Sequence, residues 1–423
     1  MRRRAATGAV AVIPLLVLLS QVSAWSAVEP QGGPPPTPVP PNGSPSPFIS
    51  HLSTPADPIR VPRVDASAAI LMDLDTGQVL FSKAPEQARP VASLTKLMTA
   101  LVVLDKEKGH LDRTVRIHPD AVFHHGDYGG GSTLGLRPGE RLSVRGLLTG
   151  LLLGSANDAA EALAIEEAGS VSAFVENMNA RAKALGMSQT RFTSPHGLDD
   201  RGRSSAADLM LLLREASKSS TFHDLVRRRF AVVRSDSARP RRIQNRNVML
   251  WLYPGASGVK TGFTAGAGFC LMVTAHRDEE ELAAVVLGGG DEVFSDAAAL
   301  LNHGFAAYER RTLVEEGEAL GSVRVRGGEV PVVAGEGLAA LVGVGASGAV
   351  ERILKASPGA AYPPPSGSVV GTLRLTSSGA PVGKVTVLVA DLEPPPEPMG
   401  SWWGRAAGAL SEEVTAVVAG LLG

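Results

Sequence analysis

The chain has 423 residues, of which 44% are hydrophobic and 20% charged, as in globular proteins with a sizeable core. Its length allows two or three domains. The formal net charge is −1, and no basic segment with interleaved aromatic residues occurs, so the sequence indicates no nucleic-acid partner. Cys270 is the single cysteine, which excludes an intrachain disulfide.

The N-terminal residues have the pattern of an export signal. Arginines at positions 2–4 precede the apolar segment 9–19, and small residues at 22–24 offer a cleavage site. The apolar segment is too short to span a bilayer comfortably, so we expect residues 1–24 to be a cleaved signal peptide, with an uncleaved anchor as the alternative. Either way the remaining chain works outside the cytoplasm. The Pro- and Gly-rich residues 25–62 predict an extended linker.

Regular elements begin near residue 64. Leucines and methionines at helical spacing predict a helix that begins near Ser93. Periodic apolar residues predict the other elements, which are strands 68–73 and 78–82, helices 147–153, 159–165, 171–184 and 206–216, strands 268–275 and 282–287, and a closing helix at 294–309. This mixture predicts an α+β domain over residues 63–311.

A change in composition near residue 311 predicts a second domain. Alternating apolar runs separated by Gly-rich turns indicate four strands, at 322–326, 330–333, 369–375 and 384–389. We therefore expect a small all-β domain over residues 312–393. Residues 394–423 combine a Pro-rich hinge with an amphipathic tail, whose adjacent Trp402 and Trp403 suit contact with a membrane interface. Packing of the tail on its own protein is the alternative.

Three short motifs carry candidate chemistry. They are Ser93-Leu94-Thr95-Lys96, Ser155-Ala156-Asn157 and Lys260-Thr261-Gly262. Each is weak alone, because such short patterns arise by chance. All three in this order are the signature of penicillin-binding proteins and β-lactamases.

The first motif pairs a nucleophile with a base. Ser93 and Lys96 lie three residues apart, on one face of the predicted helix, so their side chains can meet. A serine hydroxyl becomes a good nucleophile when a neighbouring base removes its proton. Lys96 can be that base if burial or nearby cations lower its pKa. The alternative, an incidental pair on a surface helix, fits poorly with the apolar neighbours Ala92 and Leu97.

The other two motifs place polar groups at the ends of elements. Ser155 can relay a proton to a leaving amine and Asn157 can hold a peptide group, although both residues are also good helix caps. Lys260 and Thr261 suit a substrate carboxylate, and Gly262 lets the substrate backbone approach closely. A lysine that protects a strand edge from aggregation is the alternative for Lys260.

The segments around these motifs resemble the low-molecular-mass D-alanyl-D-alanine carboxypeptidases, the S11 family of serine peptidases. The similar segments are residues 93–99, 151–160, 194–199 and 253–264, within a resemblance that extends from about residue 64 to 310. The resemblance implies a β-lactamase/transpeptidase-like catalytic domain, an antiparallel sheet with helices, followed by a small all-β domain. It implies no cofactor and no metal.

The resemblance also implies catalytic roles. Ser93 would attack the carbonyl between two D-alanines of a peptidoglycan stem peptide, with Lys96 as general base, to give an acyl-enzyme that water cleaves. Ser155, with Lys260, would pass the proton to the leaving D-alanine, and Asn157 would complete the catalytic set. β-Lactams would acylate Ser93 and be released slowly.

Substrate binding is implied for the third motif. Lys260 and Thr261 would hold the terminal carboxylate beside Gly262. The backbone N–H groups of Ser93 and Phe263 would form the oxyanion hole, in which one donor is typically worth about 10²–10³ in rate.

Some residues depart from the family pattern or suggest other chemistry. Many relatives carry an arginine just before the closing helix that helps to bind the carboxylate, and Val293 stands there instead. The segment 124–127, His-His-Gly-Asp, is expected to be a solvated loop rather than a metal site. We expect His196 to fix a loop and Cys270 to be a buried, inert thiol. Arginines at 227–229, 239, 241 and 242 predict a solvated face, with an anionic partner as the alternative.

Two other functions stay open. A class A β-lactamase normally adds a glutamate followed four residues later by an asparagine, and no such pair occurs between Asn157 and Lys260. A catalytically inert cell-wall binding protein would keep the fold without the chemistry, and nothing in the sequence favours it.

Overall fold

The computed structural model describes residues 60–123, 131–345, 350–357, 363–377 and 379–390. The expected signal peptide, most of the linker, the segment 124–127 and the C-terminal tail therefore lie outside the described residues. Among the described residues, no helix combines the length and the apolar character needed to cross a membrane.

The first domain alternates helices and strands. In chain order its elements are β1 (Ala68–Asp73), β2 (Val79–Lys83), a 3₁₀ turn (Ala92–Thr95), α1 (Lys96–Glu107), β3 (Thr114–Arg116), a 3₁₀ turn (Pro119–Ala121), β4 (Arg141–Ser143), α2 (Val144–Leu152), α3 (Asn157–Ala168), α4 (Val171–Ala184), α5 (Ala206–Ala216), α6 (Ser220–Val226), β5 (Phe230–Val233), β6 (Arg241–Gln244), α7 (Met249–Leu252), β7 (Ala256–Thr264), β8 (Gly268–Arg277), β9 (Glu280–Gly289) and α8 (Val293–Ala307).

A five-stranded antiparallel sheet, in the order β2-β1-β9-β8-β7, divides the core of this domain. Successive strand residues point to opposite faces. Ile70 and Met72 of β1 therefore join the hydrophobic cluster formed with α1 to α6, whereas Ala69 and Leu71 join the cluster formed with α8. Because β7 is the last strand, its free edge lies beside the 3₁₀ turn that contains Ser93.

The second domain is built of strands alone in its described part. Its elements are β10 (Tyr308–Val314), β11 (Ala319–Val325), β12 (Gly328–Ala334), β13 (Leu338–Gly343), β14 (Val350–Ala356), β15 (Val369–Ser377) and β16 (Ala380–Val389). β11, β12, β16, β15 and β14 form one antiparallel sheet, and β10 pairs with β13. Arg310 joins the two domains through an ion pair with Asp73 at 3.0 Å.

Most of the predicted elements are confirmed, including the α+β first domain and the all-β character of the second. The closing helix, predicted to reach residue 309, ends at Ala307 because Tyr308 and Glu309 pair with β13. The strands predicted at 268–275 and 282–287 are each two residues longer where they face each other, since Arg277 pairs with Glu280 across the hairpin. The domain boundary near residue 311 stays a prediction, and β10 runs through it.

Candidate active site

Ser93 lies in the 3₁₀ turn immediately before α1. The preceding Ala92 has φ +47°, in the left-handed region that is costly for a residue with a Cβ. Leu94 and Leu97 are fully buried on either side of the junction, which fixes the turn against the core. Ser93 itself is half-buried.

Lys96, the first residue of α1, points at this hydroxyl. Its Nζ lies 2.9 Å from Ser93 Oγ and donates to the His196 carbonyl at 2.7 Å. The side chain is 0% exposed. Burial, followed by the charges of Lys260 and Arg246, holds the pKa of Lys96 well below its usual range. A lowered pKa and a hydrogen-bond distance to the hydroxyl both favour proton abstraction from Ser93.

His196 holds the loop that receives Lys96. Its Nε2 lies 3.2 Å from a carboxylate oxygen of Glu161, and its Nδ1 accepts a hydrogen bond from the backbone of Leu198 at 3.1 Å. Burial lowers the pKa of His196, which keeps the ring neutral. Glycine is required at the next position, because Gly197 has φ +75° and a Cβ there would lie 2.0 Å from the Ala92 carbonyl oxygen.

The third motif lies on the edge strand β7. A Cβ on Gly262 would lie 2.9 Å from the Ser93 backbone nitrogen, so only glycine lets β7 come this close to the nucleophile. Lys260 is 2% exposed and donates to the Thr261 carbonyl at 2.8 Å. Burial, followed by the charge of Arg246, lowers the pKa of Lys260 to about 7. Phe263, near the outer end of the strand, is exposed.

Ser155 and Asn157 lie where the chain turns from α2 into α3. Ser155 has φ +60° and is buried, and within the described residues it makes no hydrogen bond to Ser93 or Lys96. Asn157 begins α3, which has Ala156 as its N-cap and no side-chain cap, so the capping alternative is not supported. Asn157 Oδ1 is buried and has no hydrogen-bond partner within the described residues. Such an acceptor is costly unless a ligand pairs with it.

Two residues beside the candidate site, Arg246 and Asp158, have no motif of their own in the sequence. Arg246 follows β6, and its backbone N–H donates to Leu153 at 3.2 Å, which brings it beside the second motif. Its charge lowers the pKa of both Lys96 and Lys260. The cation that many relatives place before the closing helix is absent at Val293, which is 2% exposed at the start of α8.

The second such residue is Asp158, next to Asn157 on α3. Its carboxylate accepts backbone N–H groups of Leu134 at 2.8 Å and Leu136 at 3.0 Å. Burial raises the pKa of Asp158. The carboxylate thus ties the segment around residue 134 to α3, and the nearby Gly131 has no room for a Cβ, which would lie 2.3 Å from Asn157 Nδ2.

Comparison with known proteins decides the family. The Peptidase S11 family model, described as D-alanyl-D-alanine carboxypeptidase, matches residues 54–291. This chain belongs to the S11 family. Among S11 relatives, D-alanyl-D-alanine carboxypeptidase DacF of Bacillus subtilis is 30% identical over 74% of this chain and 82% of its own. The corresponding DacC of Escherichia coli is 35% identical over 79% of this chain and 85% of its own.

Solved structures confirm the expected fold of this S11 peptidase. Penicillin binding protein 5 from Haemophilus influenzae superposes with a TM-score of 0.67 at 28% identity, covering 78% of this chain and 98% of that one. A D-alanyl-D-alanine carboxypeptidase from Mycobacterium tuberculosis gives 0.54 at 35% identity and covers 60% of this chain and 96% of its own. The first match extends into the second domain, whereas the shorter second match accounts for little more than the first domain.

Two remaining predictions concern Cys270 and metal binding. Cys270 is buried in the core, and burial raises the pKa of its thiol to about 11, so the thiol is unreactive at neutral pH. Within the described ranges, no group of three His, Cys, Asp or Glu side chains is placed to hold a metal ion. The segment 124–127 lies outside those ranges.

Proposed function

We propose that Ser93 is the nucleophile with which this S11 peptidase removes the terminal D-alanine of peptidoglycan stem peptides. The observation that carries the proposal is the 2.9 Å contact between Ser93 Oγ and the Nζ of the buried Lys96, whose pKa is lowered. A charged lysine could not accept the serine proton, and a distant one could not reach it. The short distance and the lowered pKa therefore both support Lys96 as the base that activates Ser93.

The proposed acylation begins when Lys96 takes the Ser93 proton. Ser93 Oγ then bonds to the carbonyl carbon of the penultimate D-alanine, and the N–H groups of Ser93 and Phe263 stabilise the oxyanion. Collapse of this intermediate breaks the peptide C–N bond. The leaving amine takes the proton held by Lys96, relayed through Ser155 with Lys260 beside it, which leaves Lys96 neutral again. Lys96 then takes a proton from the attacking water, and this proton returns to Ser93 Oγ as the ester C–O bond breaks.

The proposed substrate-binding site consists of positively charged side chains and the Asn157 amide around the scissile peptide bond. Lys260 and Thr261 hold the terminal carboxylate, and the charge of Arg246 adds to the attraction. In the free protein the pKa of Lys260 is about 7, and a bound carboxylate would raise it, so substrate binding keeps the ammonium charged. The unpaired Asn157 Oδ1 supports a role in accepting an N–H group of the substrate, and the close approach at Gly262 supports a role in admitting its backbone.

A fluorescent penicillin and a D-Ala-D-Ala pentapeptide test the proposal together. We expect stoichiometric, long-lived labelling and release of free D-alanine, both lost in Ser93→Ala and both kept in Ser322→Ala, a control at an exposed serine. Rapid turnover of the penicillin would instead indicate a β-lactamase. Absence of labelling and of D-alanine release would indicate an inert binding protein.

We also propose that the protein acts outside the cytoplasm, attached to the outer face of the membrane by residues 402–423. The pattern of residues 1–24 and the location of peptidoglycan support the first part, and the paired Trp402 and Trp403 support the second. Deleting residues 402–423 is expected to release the protein from the membrane pellet. Unchanged pelleting would exclude the tail as the attachment.

A further inference from the structure

The β5–β6 hairpin and its flanks carry an unusual excess of positive charge. Residues 227–246 contain eight arginines and one acid, Asp236, in a chain of net charge −1. Two of the arginines are neutralised, Arg227 by Asp224 at 2.6 Å and Arg241 by Glu140 at 2.7 Å. Five others are exposed and form no ion pair with the described residues; they are Arg228, Arg229, Arg234, Arg239 and Arg242. Exposed guanidinium groups of this kind can bind an anionic partner.

The outer face of this hairpin also exposes apolar groups. Val232 lies opposite Arg242 in the ladder, so both side chains are on one face, together with Phe230. Phe230 is 63% and Val232 43% exposed. The opposite face is buried, with Ile243 packed under the chain at Gly154. We refer to Phe230, Val232, Arg234, Arg239 and Arg242 as the arginine face.

The arginine face continues into the candidate active site. Asn245 donates its backbone N–H to Arg229 at 2.8 Å, so the strand pairing extends past the end of β6. Arg246 follows four residues after Arg242, in a bend beyond β6 where its backbone N–H donates to Leu153 at 3.2 Å. Arg246 supplies charge to the pocket of Lys96 and Lys260. The chain segment that carries the arginine face thus also supplies a positive charge to the pocket.

We propose that the arginine face binds neighbouring stem peptides of a peptidoglycan strand while one stem occupies the active site. The inference rests on the proposed function. Each uncut stem ends in a free carboxylate, so a polymeric strand presents repeated anions, and guanidinium groups bind carboxylates bidentately. A single soluble peptide has one terminal carboxylate, so this group cannot occupy both sites at once. The face therefore selects polymeric substrate over soluble substrate, and the exposed Phe230 and Val232 supply apolar contact beside the charges.

The test compares two substrates and two triple variants. The variant R234Q/R239Q/R242Q removes three charges from the arginine face. The control R324Q/R326Q/R374Q removes three exposed arginines of the second domain that form no ion pair with described residues. D-alanine release is measured from insoluble polymeric peptidoglycan and from a soluble pentapeptide. At low salt we expect the first variant to lose about 10-fold in rate on the polymer and to match wild type on the pentapeptide. The control is expected to match wild type on both.

Measurements at high salt and with lipid vesicles distinguish this inference from its alternatives. High salt should remove the advantage of wild type over the variant on the polymer, because exposed charges are screened. The inference would be overturned if wild type and R234Q/R239Q/R242Q released D-alanine from the polymer at equal rates at low salt. It would also be overturned if the variant lost the same fraction of its rate on the polymer and on the pentapeptide. A variant that turns over the polymer as wild type does but no longer binds anionic phospholipid vesicles would also overturn it. That result would assign the arginine face to contact with a membrane surface. Wild-type protein that releases no D-alanine from the pentapeptide would overturn the proposed function, and this inference with it.

Discussion

The environment of Lys96 supports its proposed role as the base that activates Ser93. The Lys96 side chain is fully buried and shares its pocket with the charges of Lys260 and Arg246, so protonation is disfavoured. We expect Lys96→Met to slow D-alanine release and penicillin acylation by about 10²–10⁴, the usual contribution of a positioned base. The acylation rate of wild type should rise with pH as Lys96 loses its proton. The residual acylation rate of Lys96→Met should not depend on pH in this way.

The control for this prediction is Lys355→Met, at an exposed lysine of the second domain. It is expected to acylate at the wild-type rate. Thermal unfolding of both variants shows whether they remain folded. A folded Lys96→Met variant with wild-type acylation would mean that another group removes the Ser93 proton.

Arg246 is a positive charge that affects both lysines of the candidate site. Its charge lowers the pKa of Lys96 and of Lys260. In Arg246→Gln both pKa values should rise, so a smaller fraction of Lys96 is neutral at a given pH. The acidic limb of the acylation rate, measured against pH with a fluorescent penicillin, should therefore move to higher pH. Arg242→Gln, an exposed arginine of β6, should leave the limb in place, and an unmoved limb in Arg246→Gln would refute the electrostatic role.

Residue spacing reveals one part of the site better than the rest. The predicted contact between Ser93 and Lys96 is present because residues three apart also meet across the 3₁₀ turn that replaces the first turn of the predicted helix. Arg246 and Asp158 reach the site through tertiary contacts, with Leu153 and with Leu134, for which no local pattern exists. The roles proposed for Ser155, Asn157 and the third motif stay predictions until variants are measured.

At the scale of elements, the contact between β7 and the 3₁₀ turn positions the nucleophile. A Cβ on Gly262 would lie 2.9 Å from the Ser93 nitrogen and 3.2 Å from the Val91 carbonyl oxygen, so neither backbone can yield cheaply. We expect Gly262→Ala to slow acylation by about 10²-fold, because a displacement of about 1 Å misaligns the reacting atoms. Stability should fall by about 1–3 kcal/mol, as in other overpacked sites.

The matched control is Gly290→Ala, because a Cβ at Gly290 meets no atom within 4 Å. Acylation rates with a fluorescent penicillin and urea unfolding of both variants provide the comparison. Normal acylation in Gly262→Ala would show that β7 can move away from Ser93 without cost to the site.

Hydrophobic periodicity predicts the long elements well and the short strands poorly. Helices α4 and α5 span the predicted residues because each repeats its apolar face over several turns. β5 and β6 have no counterpart among the predicted elements, since each has four residues and β6 begins with two arginines. Their strand conformation depends on packing of Ile243 and Val233 under one face, which the sequence does not show by itself.

For the whole molecule, the candidate site lowers the stability of the fold. Lys96 and Lys260 are both buried, and Arg246 has no ion pair with the described residues to offset its burial. Neighbouring like charges in a low-dielectric core oppose folding. The remainder of both domains therefore has to supply the stability that this pocket removes. Such a conflict between stability and activity is common at catalytic sites.

Lys260→Met should accordingly stabilise the protein while it impairs carboxylate binding. The pKa of Lys260 is about 7 in the folded protein and about 10.4 when unfolded. Between pH 7 and pH 10.4 Lys260 takes up a proton when the protein unfolds, so the free energy of unfolding of wild type rises with pH across this window. The stability that wild type loses by burying Lys260 is therefore largest at and below about pH 7. We expect urea unfolding to show the variant more stable by about 1–4 kcal/mol near pH 7, with the difference shrinking toward pH 10. Lys355→Met should show no such trend, and a variant less stable than wild type at neutral pH would mean that burial of Lys260 is not costly.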